Sequence, residues 1–350
     1  MGSPWSLPDW SRVFGTTAVS GLIRVNVEDF RVQEIPLITP EGEGNHLWLE
    51  IEKRNANTDW VARQLAGFAG VPSRDVGYAG MKDRNGITSQ WFSIGLQEAR
   101  DSTWENWDLP DAVVLQAHRH NRKLKRGALR GNRFRIVVRE LEGAMDDLED
   151  RLRQVAALGV PNYFGPQRFG HGGRNVSQGV HWLEHGGRLP RNKRSIYLSA
   201  VRSFLFNAVV ARRVDAGTWN RIIDGDFASL DGSHSGFSCR MPDGELTRRC
   251  NEFDIHPSGP MPGRGGKQPE REAARIEGEV LEPYESLIVA LEKAGLQAAR
   301  RSLRLVPKSM EWEHGGSSLS LEFDLPSGTF ATSVLRELVT IGPASISESR

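Results

Sequence analysis

The stretch Leu319-Ser320-Leu321-Glu322-Phe323-Asp324-Leu325 alternates apolar with polar residues throughout, the period of a strand with one face buried and one in water. Phe330 to Val339 follows as a helix. One strand and one helix cannot make a core alone, so this pair must pack on something earlier in the chain. Strands of the same kind stand there: Leu47, Leu49 and Ile51 alternate with Trp48, Glu50 and Glu52, and Phe134, Ile136 and Val138 with Arg135, Val137 and Arg139. The pattern predicts an α+β parent domain, made of residues 1–159 and 305–350, interrupted by a second α+β domain at 160–304. The length of 350 residues also suggests two domains, because single cores stop growing near about 250–300 residues.

Working inward, Leu22 to Glu34 reads as two extended pieces, and Ile87 to Ile94 and Val113 to Ala117 as further strands. Asn57 or Thr58 caps a helix whose Val61, Leu65 and Phe68 share a face and which Gly70 ends. Met145, Leu148, Leu152 and Val155 form another helical stripe, with Asp146 and Asp147 in its first turn and Gly159 past its end. In the middle, Tyr197 to Val214 is long and largely apolar, hence a buried helix. Asp224 to Gly236 and Pro257 to Pro269 are rich in Gly, Pro, Ser and Asp and read as irregular, the second as a loop.

Composition excludes several classes. With 38% hydrophobic residues and 45 basic against 44 acidic side chains, the chain has neither the polarity nor the charge imbalance of a disordered one. No apolar run approaches the roughly 18 residues of a membrane span, and Met1 to Trp10 lacks the charged and apolar regions of a secretory signal. Cys239 and Cys250 are the only cysteines, too few for a disulfide framework or a four-thiolate zinc site. These features suggest a reduced, cytoplasmic, soluble protein, and a monomer is expected.

Familiar catalytic motifs are absent: there is no His-Glu-x-x-His, no Gly-x-Ser-x-Gly and no dinucleotide fingerprint. Gly266-Lys267 imitates the end of a phosphate loop, but Met261 stands where Gly is needed and Gln268 where Ser or Thr is needed. His171, His181, His185, His234 and His256 lack ligand spacing and read as surface or structural. Met1-Gly2 with Ser6 fits a loose myristoylation pattern, discounted for Pro4 and the lack of adjacent basic residues. Asn175-Val176-Ser177 would be a glycosylation acceptor only in a secreted chain.

Two stretches stand out. Between His118 and Arg135 lie Arg119, Arg122, Lys123, Lys125, Arg126, Arg130, Arg133 and Arg135, eight cations without an acid. Such a run is either a solvated face or an anion-binding surface, and its density favours phosphate. In Gly77-Tyr78-Ala79-Gly80-Met81-Lys82-Asp83-Arg84, two glycines let the backbone turn sharply and Asp83 sits between cations. Cationic neighbours keep a carboxylate ionised and nucleophilic. By spacing alone, an Asx-turn with solvated charges is the simpler reading.

The signature Gly77 to Arg84, continued by Asn85-Gly86-Ile87-Thr88-Ser89-Gln90, resembles that of the TruD family of tRNA pseudouridine synthases. Further stretches are similar to the family in the same order: Glu28 to Pro36, Lys53 to Thr58, Asn121 to Leu124 running to Gly131-Asn132-Arg133-Phe134, and Val160 to Gly170, then His256 to Met261 and Ser327 to Thr332. Together they span about residues 21 to 339. Gly86 stands where the family commonly has Ala, and Arg24 where it has Lys.

The resemblance implies a mixed or antiparallel catalytic sheet with an inserted domain forming the other wall of an RNA cleft. It implies isomerisation of a tRNA uridine, number 13 of the D arm, to pseudouridine. No redox step or net hydrolysis occurs, so no cofactor, metal or nucleotide is needed. Asp83 matches the nucleophile, Arg24 its ion partner, Phe134 the ring that stacks on the flipped base, and Phe30, Asn132 and Phe330 the pocket lining. Arg119, Arg122, Lys123, Lys125, Arg126 and Arg130 would contact phosphates. Two other classes are weighed against this. A non-catalytic RNA-binding or chaperone protein is disfavoured by the intact Asp83, and a nucleoside hydrolase by a basic run that a small neutral substrate would not need.

Overall fold

The computed structural model describes residues 5–40, 42–96, 104, 107, 109–233 and 235–342. Met1, Gly2 and His234 lie outside the described residues. Contacts divide the chain into a sheet unit, residues 18–145, 307–328 and 339–350, and a helix-rich unit, residues 1–17, 146–306 and 329–338. The division falls 14 residues ahead of the expected boundary at 160, and the helix Met145–Leu158 groups with the helix-rich unit apart from its first residue.

Strand alternation builds the sheet unit. Across its sheet the order is Lys308–Gly315, Ser318–Pro326, Leu129–Glu142, Phe30–Pro36, Ile87–Gly95, His46–Arg54 and Ala112–His120. Phe30–Pro36 runs parallel to Ile87–Gly95, and Ser20–Ile23 parallel to Thr340–Ile341, while the other ladders of this sheet are antiparallel. The sheet is therefore mixed and the protein α+β. Leu319, Leu321, Phe323 and Leu325 are all buried and lie opposite Val138, Ile136, Phe134 and Asn132. Ile87–Gly95 loses alternation because both faces are covered. Phe92 and Ile94 pack with Val61 and Leu65 of the helix Thr58–Ala69, and Trp91 packs with Trp48, Ala79 and Leu124.

The helix-rich unit centres on the helix Arg191–Asp215, whose Leu198, Phe204, Leu205 and Val209 share a core with Val176, Val180, Leu287 and Leu291. This helix begins six residues before Tyr197, because its first turns are polar and exposed and give no apolar stripe. A sheet ordered Gly236–Ser238, Phe227–Leu230, Ile255–Met261 and Ala299–Ser302 lies in the same unit. Two irregular assignments are thereby corrected. Ile255–Met261 is a strand despite Pro257 and Pro260, because its first half pairs with Phe227–Leu230 and its second with Ala299–Ser302. Each half then has a neighbour on one side, so a proline lacking its N–H need not break a ladder.

The strand and helix near the C-terminus are divided between the units. The strand Ser318–Pro326 completes the sheet, whereas the helix Ala331–Leu338 belongs to the helix-rich unit. There Ser333 Oγ donates to Tyr163 O at 2.7 Å and Thr17 Oγ1 donates to Leu338 O at 3.0 Å. Among the described residues, no helix is long and apolar enough to cross a membrane.

Candidate active site

The Asp83 loop connects the short strand Gly77–Tyr78 to Ile87–Gly95, with which that strand pairs. Asp83 is partly exposed at the turn, and Arg24 follows the strand Ser20–Ile23 in a left-handed conformation with φ of 59°. Its Nη2 lies 3.1 Å from Asp83 Oδ2. The same guanidinium sits 4.0 Å above the centre of the Phe30 ring, which holds it by cation–π attraction while one edge faces the carboxylate. The planar guanidinium of Arg24 is thus held by a ring on one face and by the carboxylate at one edge. The sequence neighbours behave otherwise than their order suggests. Lys82 turns inward to Glu34, and Arg84 Nε donates to Asn55 O at 3.4 Å, leaving Arg24 as the cation paired with Asp83.

Buried groups pin this loop from below. Lys53 Nζ donates to Ala56 O at 2.6 Å and to Asp83 O at 2.8 Å. Burial pulls the Lys53 ammonium down to about 8, and the Asp83 charge partly opposes that shift. Lys82 Nζ meets Glu34 Oε2 at 2.7 Å with both side chains buried, and burial pushes the Glu34 carboxyl above its ordinary range. Lys82 N donates to Thr58 Oγ1 at 3.0 Å, Thr58 Oγ1 donates to Gln90 Oε1 at 2.8 Å, and Gln90 Nε2 donates to Gly80 O at 3.0 Å. The loop is thus tied at Gly80, Lys82 and Asp83. Gly86 is equally constrained: φ is 145°, its carbonyl accepts from Asn55 N at 3.1 Å, and a Cβ there would lie 2.4 Å from Phe30 O. The glycine fits a close approach of two backbone segments, with Phe30 O where a Cβ would stand. Sequence reasoning places Glu34, Lys53, Thr58 and Gln90 within motifs but gives them no part. No charge pattern marks them, because their partners are backbone carbonyls or residues distant in sequence.

The ladder register sets the neighbouring face. Phe134 lies opposite Val32 and Asn132 opposite Glu34, so Phe30, Asn132 and Phe134 share one face of the sheet. Phe30 and Phe134 are buried edge to face at 6.4 Å, and Phe134 stacks on Phe323 at 5.7 Å. Asn132 Oδ1 is buried without a hydrogen-bond partner, a costly arrangement unless a ligand supplies a donor. Gly131 permits it: a Cβ would lie 2.2 Å from Leu325 O, so only glycine lets the strands close here. Phe330 lies in the helix-rich unit, 5.9 Å from Phe164, with the Arg168 guanidinium 5.8 Å from its ring.

The basic run separates into two groups. Arg119, Arg122, Lys125 and Arg130 are exposed, and among the described residues no carboxylate pairs with their side chains. Arg126 is exposed and lies 3.9 Å over the Tyr78 ring. Tyr78 donates in turn to Asp59, and burial with that bond pushes its phenol up to about 12. Lys123 is half-buried, donates to Arg74 O at 2.7 Å and lies 3.9 Å from Asp75. Arg133 is bidentate on Asp324 at 2.8 and 3.0 Å, and Arg135 meets Glu322 at 2.6 Å. In the helix-rich unit, His256 is buried and pairs with Asp231 at 3.2 Å, a structural role, while His181 and His185 stack on each other.

The family model described as tRNA pseudouridine synthase D (TruD) matches residues 11–183 and 176–338. A tRNA pseudouridine synthase D of Methylococcus capsulatus is 47% identical over 337 residues, covering 96% of this chain and 95% of its own. One of Hydrogenovibrio crunogenus is 41% identical, covering 97% and 99%. A crystal structure of a Methanosarcina mazei protein, also described as TruD, has the same fold, with a TM-score of 0.72 at 24% identity over 94% of this chain and 95% of that one.

Proposed function

The chain belongs to the tRNA pseudouridine synthase D family, and from that premise we propose that it converts uridine to pseudouridine in tRNA, at position 13 of the D arm, with Asp83 as nucleophile. In this reaction the N1–C1′ bond breaks, the base turns, and a C5–C1′ bond forms with loss of the C5 proton and gain of one at N1. A positioned carboxylate suffices for such chemistry in principle. The observation that carries the proposal is the Arg24–Asp83 pair at 3.1 Å on a loop whose Asp83 carbonyl is held by Lys53. Arg24 holds the carboxylate through that ion pair, and Lys53 fixes the backbone that presents it. Asn132, with its unmet oxygen, serves as a hydrogen-bond acceptor for the flipped uridine. Phe30 and Phe134 form the apolar side, and Phe330 is assigned to substrate by resemblance. Phosphates are held by Arg119, Arg122, Lys125, Arg126 and Arg130, with Lys123 in a lesser part, and residues 160–304 supply further RNA contacts.

The test uses purified protein and tRNA tritiated at uridine C5. Wild type releases tritium, whereas Asp83→Asn and Asp83→Ala release none, with melting temperature and tRNA affinity nearly unchanged because Asp83 is partly exposed. Substantial turnover by Asp83→Ala would overturn the assignment. Pseudouridine mapping in tRNA from cells lacking the protein checks position 13, and its persistence there would exclude that site.

A further inference from the structure

The helix-rich unit carries arginines that the proposed reaction does not use. Arg191, Arg194 and Arg202 project from the long helix at spacings that bring them toward one side, and they line a cavity of about 500 Å³ with Ser195, Ser199 and Met261. Among the described residues, no acidic side chain lines it. Arg202 Nη2 donates to Met261 O at 2.9 Å and Gln297 O at 3.0 Å, while its Nε is buried with no hydrogen-bond partner. Arg194 Nη2 donates to Ala294 O at 3.1 Å, and its guanidinium lies 4.8 Å from the Trp182 ring centre. Arg168 reaches the same wall, its Nη1 donating to Ser199 Oγ at 3.1 Å, and its Nε too is buried without a partner.

Carbonyls, a hydroxyl and an indole face hold these guanidinium groups in place without cancelling their charge. Two arginines whose side chains are buried in this unit are treated differently: Arg213 meets Asp226 at 2.8 Å and Arg300 meets Glu277. Among the described residues, neither Arg168 nor Arg202 pairs with a carboxylate, and burial pulls both below the ordinary arginine range. Burying an uncompensated charge is unfavourable, so the arrangement is complete only with an anion from outside. Forked guanidinium donors with two serine hydroxyls match the tetrahedral oxygens of a phosphate.

We propose that this cavity binds a phosphodiester group of the RNA substrate, a second phosphate site remote in sequence from the Arg119–Arg130 run. The proposal rests on the tRNA reading for its ligand. The experiment measures binding of tRNA to the full-length protein at several salt concentrations. Arg194→Gln, Arg191→Gln and Arg202→Gln are each expected to loosen binding about tenfold and to reduce the log–log salt slope by roughly 0.7 to 0.9 for each phosphate no longer bound. Arg202→Lys, which keeps the charge and loses the fork, should fall between wild type and Arg202→Gln. If Arg202→Gln melts early because its bonds to carbonyls are gone, the exposed Arg191 and Arg194 variants decide. Unchanged affinity and slope in the Arg191→Gln/Arg194→Gln double variant would overturn the proposal, as would weaker binding at unchanged slope. The same wild-type sample is scored for pseudouridine. Failure there would overturn the catalytic reading alone, while the binding measurements still judge the cavity.

Discussion

The Asp83 loop and the arginine cavity use positive charge in opposite ways. Around Asp83 the cations have fixed partners: Arg24 has Asp83, Lys82 has Glu34, and Lys53 has two carbonyls, one of them Asp83's own. In the cavity, Arg194 and Arg202 are held by carbonyls and meet no carboxylate among the described residues. Pairing turns charge into fixed geometry, which suits the proposed nucleophile Asp83, which must stand in one place. Leaving charge unpaired keeps it for an incoming anion and lowers stability. The contrast is testable: breaking the buried Lys82–Glu34 pair beneath the Asp83 loop should damage the fold, whereas removing a cavity cation should chiefly change binding.

The largest effect is expected at the buried pair. Glu34→Ala leaves the Lys82 ammonium buried without its carboxylate and removes an acceptor for Trp91 N. Breaking such a pair costs about 3–5 kcal/mol, to be read from urea or thermal melts. A loss below about 1 kcal/mol would mean that water reaches Lys82, and would erase the contrast with the cavity.

Next is Gly86→Ala, which restores the residue common in the family. With φ at 145° and Phe30 O 2.4 Å from the new Cβ, strain of about 1–3 kcal/mol is expected, together with lower turnover as the Asp83 loop shifts. Greater stability with unchanged turnover would show that the loop has slack its geometry does not suggest.

Part of this was legible in the sequence and part was not, for physical reasons. The strands Leu319–Leu325 and Phe134–Val138 were legible because one-sided burial writes a period of two into the chain. Ile87–Gly95 is strand too, yet both faces are buried and the period disappears. The strand Ile255–Met261 was missed because prolines usually exclude strands, and its split pairing is visible only in space. Arg24 and Asp83 were identified through a resemblance, and their side chains lie 3.1 Å apart. Lys53 was not, because its hydrogen bonds end on backbone carbonyls, which leave no trace in residue type. The arginine cavity was missed because Arg191, Arg194 and Arg202 are spaced along one long helix and form no dense run, whereas the Arg119–Arg135 run is dense but partly neutralised by Asp324 and Glu322 from a neighbouring strand.

Lys53 makes the paired region sensitive to pH. Burial sets its pKa at about 8 instead of 10.5. Between about 8 and 10.5 the unfolded chain keeps a proton that the folded protein has released, so the contribution of this group makes stability rise with pH across that window. Below 8 the penalty for the buried charge is at full size. Turnover should move the other way, falling several-fold above pH 8 as the charge next to Asp83 is lost. Lys53→Met should melt without this pH dependence and show a lower, flatter rate profile. Parallel profiles for wild type and Lys53→Met would exclude Lys53 as a positioning residue.

The smallest effect separates paired from unpaired cations within one run. Lys123 already donates to Arg74 O and faces Asp75, and Arg133 and Arg135 are bound to Asp324 and Glu322. Arg122 and Lys125 are exposed and have no carboxylate partner among the described residues. Removing one phosphate interaction lowers the salt slope of tRNA binding by roughly 0.7 to 0.9, but a cation already neutralised releases fewer counterions when RNA arrives. Arg122→Ala and Lys125→Ala should therefore each lower the slope by nearly that amount, and Lys123→Ala, Arg133→Ala and Arg135→Ala by distinctly less. The choice of uridine should stay the same in all five, because phosphate contacts position the RNA while base contacts specify it. Equal slope changes across the five would mean that the ion pairs open on binding and that pairing in the free protein does not foretell use. No change at Arg122 and Lys125 would make the run a solvated face and leave the arginine cavity as the principal phosphate site.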